Sequence, residues 1–384
     1  MFHFPVTCRA VEVGPVPVPD QRDPEVTRAT LEAWLAALLP GATAVRVPHV
    51  QTPATTGFSA ETLIFDAEWH AGGRQRSGGY VAKVAPTGHQ IFPEPRFGEQ
   101  YRLLKILAGT PVKVPTVHWY EPAPEVLGAP FLVMSRVDGE APTDMPPYHT
   151  GGWVTEVSPQ TRQRMWWTGL DVLAQVHSLA VDTLGLGFVD QPSYGATGIE
   201  QRLGYYENYL AWGYDGSVPV AEAALRWLRE HRPPEPDPPV LLWGDARIGN
   251  IMYSGGDLTA VLDWEMATLG QPEEDLAWFL YLDRHHGEGC GVARLPGFPS
   301  AAETIARYEQ LAGRPMRHMD YYEVLSGLKF AAIMARIGQL FVHYELVPPD
   351  NDFPRNNTAS QLLARTLGLP PPGGELTVPA PMGS

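Results

Sequence analysis

One block of the chain admits few folds. Val240-Leu241-Leu242 is a short apolar run, followed by the polar loop Trp243-Gly244-Asp245-Ala246-Arg247-Ile248-Gly249-Asn250, a second apolar run from Ile251 to Tyr253, and a third, Ala260-Val261-Leu262, that ends on Asp263-Trp264-Glu265. Runs this short cannot bury a sheet core by themselves. Helical periodicity flanks them on both sides. Met165, Val172, Leu173, Val176 and Leu179 form one stripe within residues 161–180, and Leu325, Leu328, Ala332 and Leu340 form another within residues 321–346. The block is therefore expected to be a small patch of strand set among helices.

The same block carries the densest chemistry. Asp245 and Asn250 stand at the spacing of the Asp and Asn in a phosphoryl-transfer catalytic loop, and Asp263 follows where a metal-binding carboxylate would end the next strand. A tight loop can offer the Asp to an incoming hydroxyl and the Asn amide oxygen to Mg²⁺, while an acid beyond the next strand completes the oxygen shell. Glu265 is read either as a further metal ligand or as a structural acid.

The first part of the chain reads differently. Asp23 caps a helix that has Pro24 in its first turn, Leu31, Trp34, Leu35 and Leu38 on one face, and Pro40-Gly41 as its stop. Residues 62–69 alternate, Gly72-Gly73 and Gly78-Gly79 bracket a turn, and the extended run resumes over residues 80–84, which makes a hairpin. A helix is expected over 97–107 and a strand over 131–134, running into a turn at Asp138-Gly139. The expected divisions are an arm and packing helix (1–43), a sheet-rich lobe (44–138), a helical lobe holding the catalytic loop (139–365) and a flexible tail (366–384).

Composition narrows the partners. Across 384 residues, 28 Lys+Arg stand against 43 Asp+Glu, a net charge of −15 that disfavours nucleic acid and anionic membrane surfaces. A triphosphate would face the same repulsion, so it would need a metal ion and local donors. Two cysteines, Cys8 and Cys290, exclude a disulfide framework and a Cys-based zinc site and suit a reducing, cytoplasmic setting. The N-terminus lacks a basic, apolar leader pattern, and no uninterrupted apolar run approaches the ~18 residues of a spanning helix. Neither a Gly-x-x-x-x-Gly-Lys-Ser/Thr loop nor a Gly-x-Gly-x-x-Gly turn after a strand occurs, and no Gly-x-Ser-x-Gly elbow or His-Glu-x-x-His helix is present. His177 is read as a core histidine beside the catalytic loop, and His285-His286 as a loop pair without metal spacing.

The block from Trp243 to Glu265, with Leu269-Gly270-Gln271-Pro272 and Asp275-Leu276-Ala277-Trp278 after it, resembles the aminoglycoside phosphotransferase and choline kinase-like family, in particular a bacterial branch assigned to the aminoglycoside phosphotransferases. The resemblance extends, with decreasing clarity, over about residues 50–345. It implies an α+β, two-lobed protein-kinase-like fold, with a small antiparallel-sheet N-lobe that binds nucleotide and a larger, mainly helical C-lobe. It also implies an ATP- and Mg²⁺-dependent transfer of phosphoryl to a small-molecule hydroxyl.

On that resemblance Asp245 is the base that receives the hydroxyl proton, Asn250 and Asp263 hold Mg²⁺, and Asp275 supports the loop. Lys83 would contact the α- and β-phosphates. Ser59, within the segment 55–62, would cover the phosphates, and backbone groups of Ser135 and Val137 would receive adenine. The lysine's partner is open among Glu99, Gln100 and Glu94, because the family's Glu register falls on Gln100. Trp243 replaces the His of many relatives, which is expected to remove one side-chain hydrogen bond. Residues 205–212, with Tyr205, Tyr206, Tyr209 and Trp212, and the helix after Tyr321 would wall the acceptor site, unless those aromatics are plain packing. A monomer or homodimer is expected. Two other readings stand beside this one: a catalytically silent nucleotide-binding protein acting as sensor or scaffold, and a hydrolase that uses Asp245 and Asp263 as a carboxylate pair.

Overall fold

The computed structural model describes residues 9–11, 22–53, 59–88, 90–235, 237–373 and 377–379. The chain divides into two compact units, Pro17–Val137 and Asp138–Ser384, the latter including Met1–Val16. Strand β1 (Arg9–Val11) belongs to the latter and pairs in parallel with Thr377–Pro379.

The first unit opens with helix α1 (Pro24–Leu38), whose N-cap Asp23 accepts hydrogen bonds from the backbone N–H groups of Glu25 at 2.8 Å and Val26 at 3.1 Å. Its Leu31, Trp34 and Leu35 are buried, each worth about 1.5–3 kcal/mol of burial, and Leu38 remains exposed. Strands β2 (Thr43–Arg46), β3 (Val50–Gln51), β4 (Glu61–Ala71) and β5 (Arg74–Val84) follow, then helix α2 (Phe97–Leu107) and strands β6 (Val117–Glu121) and β7 (Phe131–Ser135). They make a six-stranded antiparallel sheet of order β2-β4-β5-β7-β6, with β3 also on β4.

The β4–β5 hairpin is longer than the sequence suggests. Gly72 and Gly73 form the turn alone, both at positive φ (59° and 73°), as a two-residue hairpin loop requires. Gly78 and Gly79 instead lie inside β5, where a Cβ at 79 would meet the Arg136 guanidinium at 2.8 Å.

The second unit is mainly helical: α3 (Pro159–His177), α4 (Gly198–Gly213), α5 (Pro219–Glu230), α6 (Pro272–Arg284), α7 (Ala301–Ala312), α8 (Met319–His343) and α9 (Thr358–Thr366). Among them lie two antiparallel pairs. Strand β8 (Val240–Leu242) pairs with β11 (Thr268–Gly270), and β9 (Ile251–Ser254) pairs with β10 (Asp257–Val261). Strand β12 (Thr377–Pro379) completes the unit against β1, so the expected arm and tail each contribute one strand. Helix α8 is long and apolar enough to cross a membrane by composition, but 67% of its apolar window is buried within the fold. His285 and His286, expected in a loop, form a buried π-helical turn that continues α6.

Candidate active site

The polar loop between β8 and β9 is held from below by one carboxylate. Asp275, in the first turn of α6 and 1% exposed, accepts the backbone N–H of Trp243 at 2.7 Å and of Gly244 at 3.0 Å. The His177 ring contributes Nε2 at 3.1 Å from the same carboxylate, and its Nδ1 meets the Tyr308 hydroxyl. His177 is thus a satisfied core histidine tied to the loop's support. Gly244 turns the chain at φ +85°, with the Met266 carbonyl where a Cβ would sit, so only glycine fits there.

This turn presents Asp245 with both carboxylate oxygens engaged. Oδ1 accepts the Trp278 indole N–H at 2.8 Å, and Oδ2 accepts Asn250 Nδ2 at 2.6 Å and Arg247 Nε at 3.2 Å. Asn250 Nδ2 also reaches the Asp245 main-chain oxygen at 3.1 Å. With its nitrogen committed to Asp245, the amide directs its oxygen the other way, as a metal ligand requires.

The end of β10 is drawn to the same place. Leu262 N–H donates to the Asn250 carbonyl at 2.8 Å, and Trp243 Nε1 donates to the carbonyls of Leu262 at 2.8 Å and Asp263 at 3.2 Å. The expectation that Trp243 removes a side-chain bond is therefore corrected, because the indole ties the loop to the strand end that carries Asp263. Asp263 adopts φ +54°, a left-handed conformation that costs a non-glycine residue about 1–2 kcal/mol and marks a site held by its surroundings. Asp245, Asn250 and Asp263 are thus gathered at one loop and one adjoining strand end. Their hard oxygen donors, an amide and carboxylates, fit Mg²⁺. Glu265 lies toward α4, where its charge helps burial to raise the Tyr209 pKa.

Residues to which the sequence assigned no role complete the site. Lys329 of α8 is buried, donates Nζ to the Gly244 carbonyl and lies 4.1 Å over the Trp278 ring. Burial lowers its pKa against the pull of Glu274, Asp245 and Asp275. Arg247 reaches from Asp245 to Asp144, with Nη1 2.6 Å from Asp144 Oδ1, and His286 Nε2 lies 3.3 Å from that same oxygen. Burial opposes the guanidinium charge, but Asp144 and Asp245 outweigh it and raise the Arg247 pKa.

The remaining expected residues lie in the sheet unit. Lys83 stands on β5 between Thr62 and Leu132 in register. Glu99 is ion-paired with Arg96, Gln100 is buried and Glu94 is exposed. Ser59 precedes β4 in a turn, and residues 55–58 of the expected phosphate-covering segment lie outside the described residues. The Ser135 hydroxyl meets His118 Nε2 at 2.7 Å, and the backbone N–H groups of Ser135 and Arg136 donate to the carbonyls of Thr116 and Gly79, leading into Val137. In the helical unit, Tyr206 and Tyr209 of the expected acceptor wall are fully packed, whereas Trp212 is 37% exposed, with the Arg336 guanidinium 4.4 Å from its ring centroid.

Fold and site together define a kinase-type phosphotransferase of two-lobed, protein-kinase-like α+β architecture. The chain belongs to the phosphotransferase enzyme family, whose model matches residues 64–315. Among solved structures, a Ralstonia eutropha protein assigned to the aminoglycoside phosphotransferases is similar, with a TM-score of 0.62 and 24% identity, covering 88% of this chain and 94% of that one. An aminoglycoside phosphotransferase in ternary complex with ADP and hygromycin B shares the fold, with a TM-score of 0.53 and 15% identity over 88% of this chain and 97% of that one. A Plasmodium vivax ethanolamine kinase does so too, with a TM-score of 0.53 and 13% identity over 87% and 85%.

Among curated proteins, acyl-CoA dehydrogenase family member 11 of Rattus norvegicus is 25% identical over 360 residues, covering 89% of this chain and 44% of that protein. The Gallus gallus counterpart is 29% identical over 282 residues, covering 70% and 32%. The chain spans less than half the length of these curated relatives.

Proposed function

We propose that the protein transfers the γ-phosphoryl group of ATP to a hydroxyl of a small molecule with the help of Mg²⁺. The observation that carries this reading is the single hydrogen-bonded loop in which Asn250 fixes Asp245 at 2.6 Å, beside the strand end that bears Asp263. The ADP and hygromycin B bound to one structural relative, and the ethanolamine kinase among the others, support a nucleotide donor and a small hydroxylated acceptor.

In this reading Asn250 Oδ1 and the Asp263 carboxylate hold the metal, and Glu265 adds a further carboxylate to the set. Bound there, Mg²⁺ would neutralise charge on the triphosphate. Asp245, oriented by Trp278, Asn250 and Arg247, aligns the acceptor hydroxyl and takes its proton late in the transfer, help worth about 10²–10⁴-fold. Lys83 is the sheet unit's own phosphate contact in the same proposal. The acceptor class spans aminoglycosides, amino alcohols, sugars, macrolides and hydroxyacyl compounds. The net charge of −15 favours cationic acceptors only at long range.

The test is an ATP-depletion screen across those hydroxyl compounds with wild type, Asp245→Asn and Asp263→Ala. Asp245→Asn should keep Mg·ATP affinity and lose transfer by at least about 100-fold, and Asp263→Ala should weaken metal-nucleotide binding. Equal transfer by wild type and Asp245→Asn would defeat the assignment of the base. A silent nucleotide-binding role is the second reading, favoured by the engagement of Glu99 with Arg96. It predicts tight ATP binding with no turnover on any acceptor.

A further inference from the structure

Lys329 lies within α8 and is 4% exposed, a costly place for an ammonium group, since lysine is rarely buried unless its charge is held. Burial lowers its pKa, and the charges of Glu274, Asp245 and Asp275 oppose that fall. An apolar side chain of similar reach would fill the same space without the cost. What the head group touches shows what the charge is for. Nζ donates to the Gly244 carbonyl and lies 4.1 Å from the centroid of the Trp278 ring.

Both contacts lead to Asp245, by different routes. The Gly244 carbonyl belongs to the peptide plane that ends on the Asp245 Cα, so a donor on that oxygen holds the point from which the carboxylate projects. Trp278, beneath the ammonium, donates its indole N–H to Asp245 Oδ1 at 2.8 Å. The N–H groups of the same turn, those of Trp243 and Gly244, are taken by Asp275 of α6 at 2.7 and 3.0 Å. Asp275 thus holds the turn from α6 and Lys329 holds it from α8. A turn held only by its N–H groups could still tip the plane between Gly244 and Asp245, and a misplacement of about 1 Å can cost about 100-fold in rate.

We propose that Lys329 is a positioning residue for the transfer reaction, fixing Asp245 at once through the Gly244 carbonyl and through the Trp278 ring. This inference rests on the reading of the protein as an ATP-dependent phosphotransferase. It deepens that reading by giving α8, a helix outside the acid–amide–acid block, a part in aligning the acceptor hydroxyl.

The experiment measures turnover, the KM for Mg·ATP and the urea midpoint of the full chain in wild type, Lys329→Met and Lys329→Arg. Lys329→Met is also placed in the Asp245→Asn background. Transfer is followed from Mg·ATP to a hydroxyl compound that scores in the ATP-depletion screen, and to water as inorganic phosphate release. Lys329→Met keeps the reach of the side chain and removes its donor and charge. It should lower turnover about 10- to 100-fold, the range for a lost hydrogen bond from a charged group, with the KM for Mg·ATP within about two-fold. Its urea midpoint should hold or rise, because a buried charge gives way to an apolar chain. Lys329→Arg, which keeps the charge on a larger planar head group, should fall between the two. In the Asp245→Asn background, Lys329→Met should change the residual rate by less than about two-fold, since the residue it positions is already disabled.

A turnover number unchanged in Lys329→Met, a urea midpoint that falls in step with it, or an equal loss in the Asp245→Asn background overturns the proposal. If Lys329→Met does not fold, Lys329→Arg carries the same comparisons, and wild-type turnover in that variant overturns it. A wild type that transfers phosphoryl neither to any compound in the screen nor to water removes the phosphotransferase reading itself. That outcome is distinct from an active wild type whose Lys329 variants keep its turnover.

Discussion

Trp278 donates its indole N–H to Asp245 Oδ1 at 2.8 Å, so the residue proposed as base is held by a helix side chain 33 residues further along the chain. The same indole ring lies under the Lys329 ammonium, 4.1 Å from its centroid. The indole thus meets the carboxylate through its edge N–H and the ammonium through its face, and it fixes Oδ1 while Asn250 and Arg247 fix Oδ2.

Trp278→Phe should test the edge contact. It keeps an aromatic surface for Lys329 and removes only the donor, so the fold and the nucleotide affinity should persist. The turnover number should drop about 10-fold, the cost of one hydrogen bond to a charged group. Steady-state kinetics on an acceptor from the screen would show it, and an unchanged turnover number would mean that Asn250 and Arg247 orient Asp245 without help.

Asp275 offers a sharper contrast. Its carboxylate is 1% exposed and accepts two backbone N–H groups and one imidazole nitrogen contact. Asp275→Ala strands those donors in the core and should destabilise the helical unit by about 3–5 kcal/mol. Asp275→Asn, which keeps one acceptor oxygen, should cost less. Urea denaturation followed by tryptophan fluorescence would measure both, and equal midpoints for the two variants would contradict the accounting.

Much of this site could be read in advance, because the acid–amide–acid series depends on local spacing. Asp245 and Asn250 share one tight loop, and the next short strand pair brings Asp263 alongside, so order along the chain is nearly order in space. The contacts that tune the loop are of another kind. Asp144 lies 103 positions before Arg247, and Lys329 lies 85 positions beyond Gly244. Neither belongs to a periodic or motif pattern, since their pairing is decided by how helices and connections pack. Trp243 shows the same limit. Read as the loss of a histidine's hydrogen bond, it supplies a tether to the Asp263 strand end, which only the folded arrangement reveals. The helix over Phe97–Leu107 matched its periodicity, whereas the hairpin's extent did not, because two glycine pairs compete for one turn and only strand register decides between them.

Gly244 tests the loop's geometry directly. At φ +85° and against the Met266 carbonyl, an added methyl group is strained twice, once by the backbone conformation and once by contact with main-chain oxygen that cannot swing aside. Gly244→Ala should lower stability by at least about 2 kcal/mol and reduce transfer together with it, because the turn carries Asp245. Thermal denaturation alongside an activity assay would check this, and a variant of wild-type stability would show that the turn relaxes more easily than the packing implies.

Glu274 supplies a pH dependence of defined sign. Burial raises its carboxyl pKa from the ordinary 4.5 to about 7, against the opposing pull of Arg202 and Lys329 and with reinforcement from Asp275 and Glu235. The folded state therefore binds a proton more tightly than the unfolded chain. The resulting stabilisation is fully present below the ordinary carboxylate pKa and is lost as pH rises through about 7, with a slope of at most about 1.4 kcal/mol per unit. His285 acts oppositely. Burial, with its neighbour His286, lowers it to about 3, so its contribution is lost as pH falls below the ordinary 6.5. The two trends overlap in the wild type, and Glu274→Gln separates them by removing the carboxyl titration while keeping the shape. The stability difference between wild type and Glu274→Gln should move in favour of the variant as pH rises from about 5 to 8, read from urea midpoints at each pH. A difference that stays flat across that interval would place the Glu274 proton equilibrium where an exposed carboxylate has it.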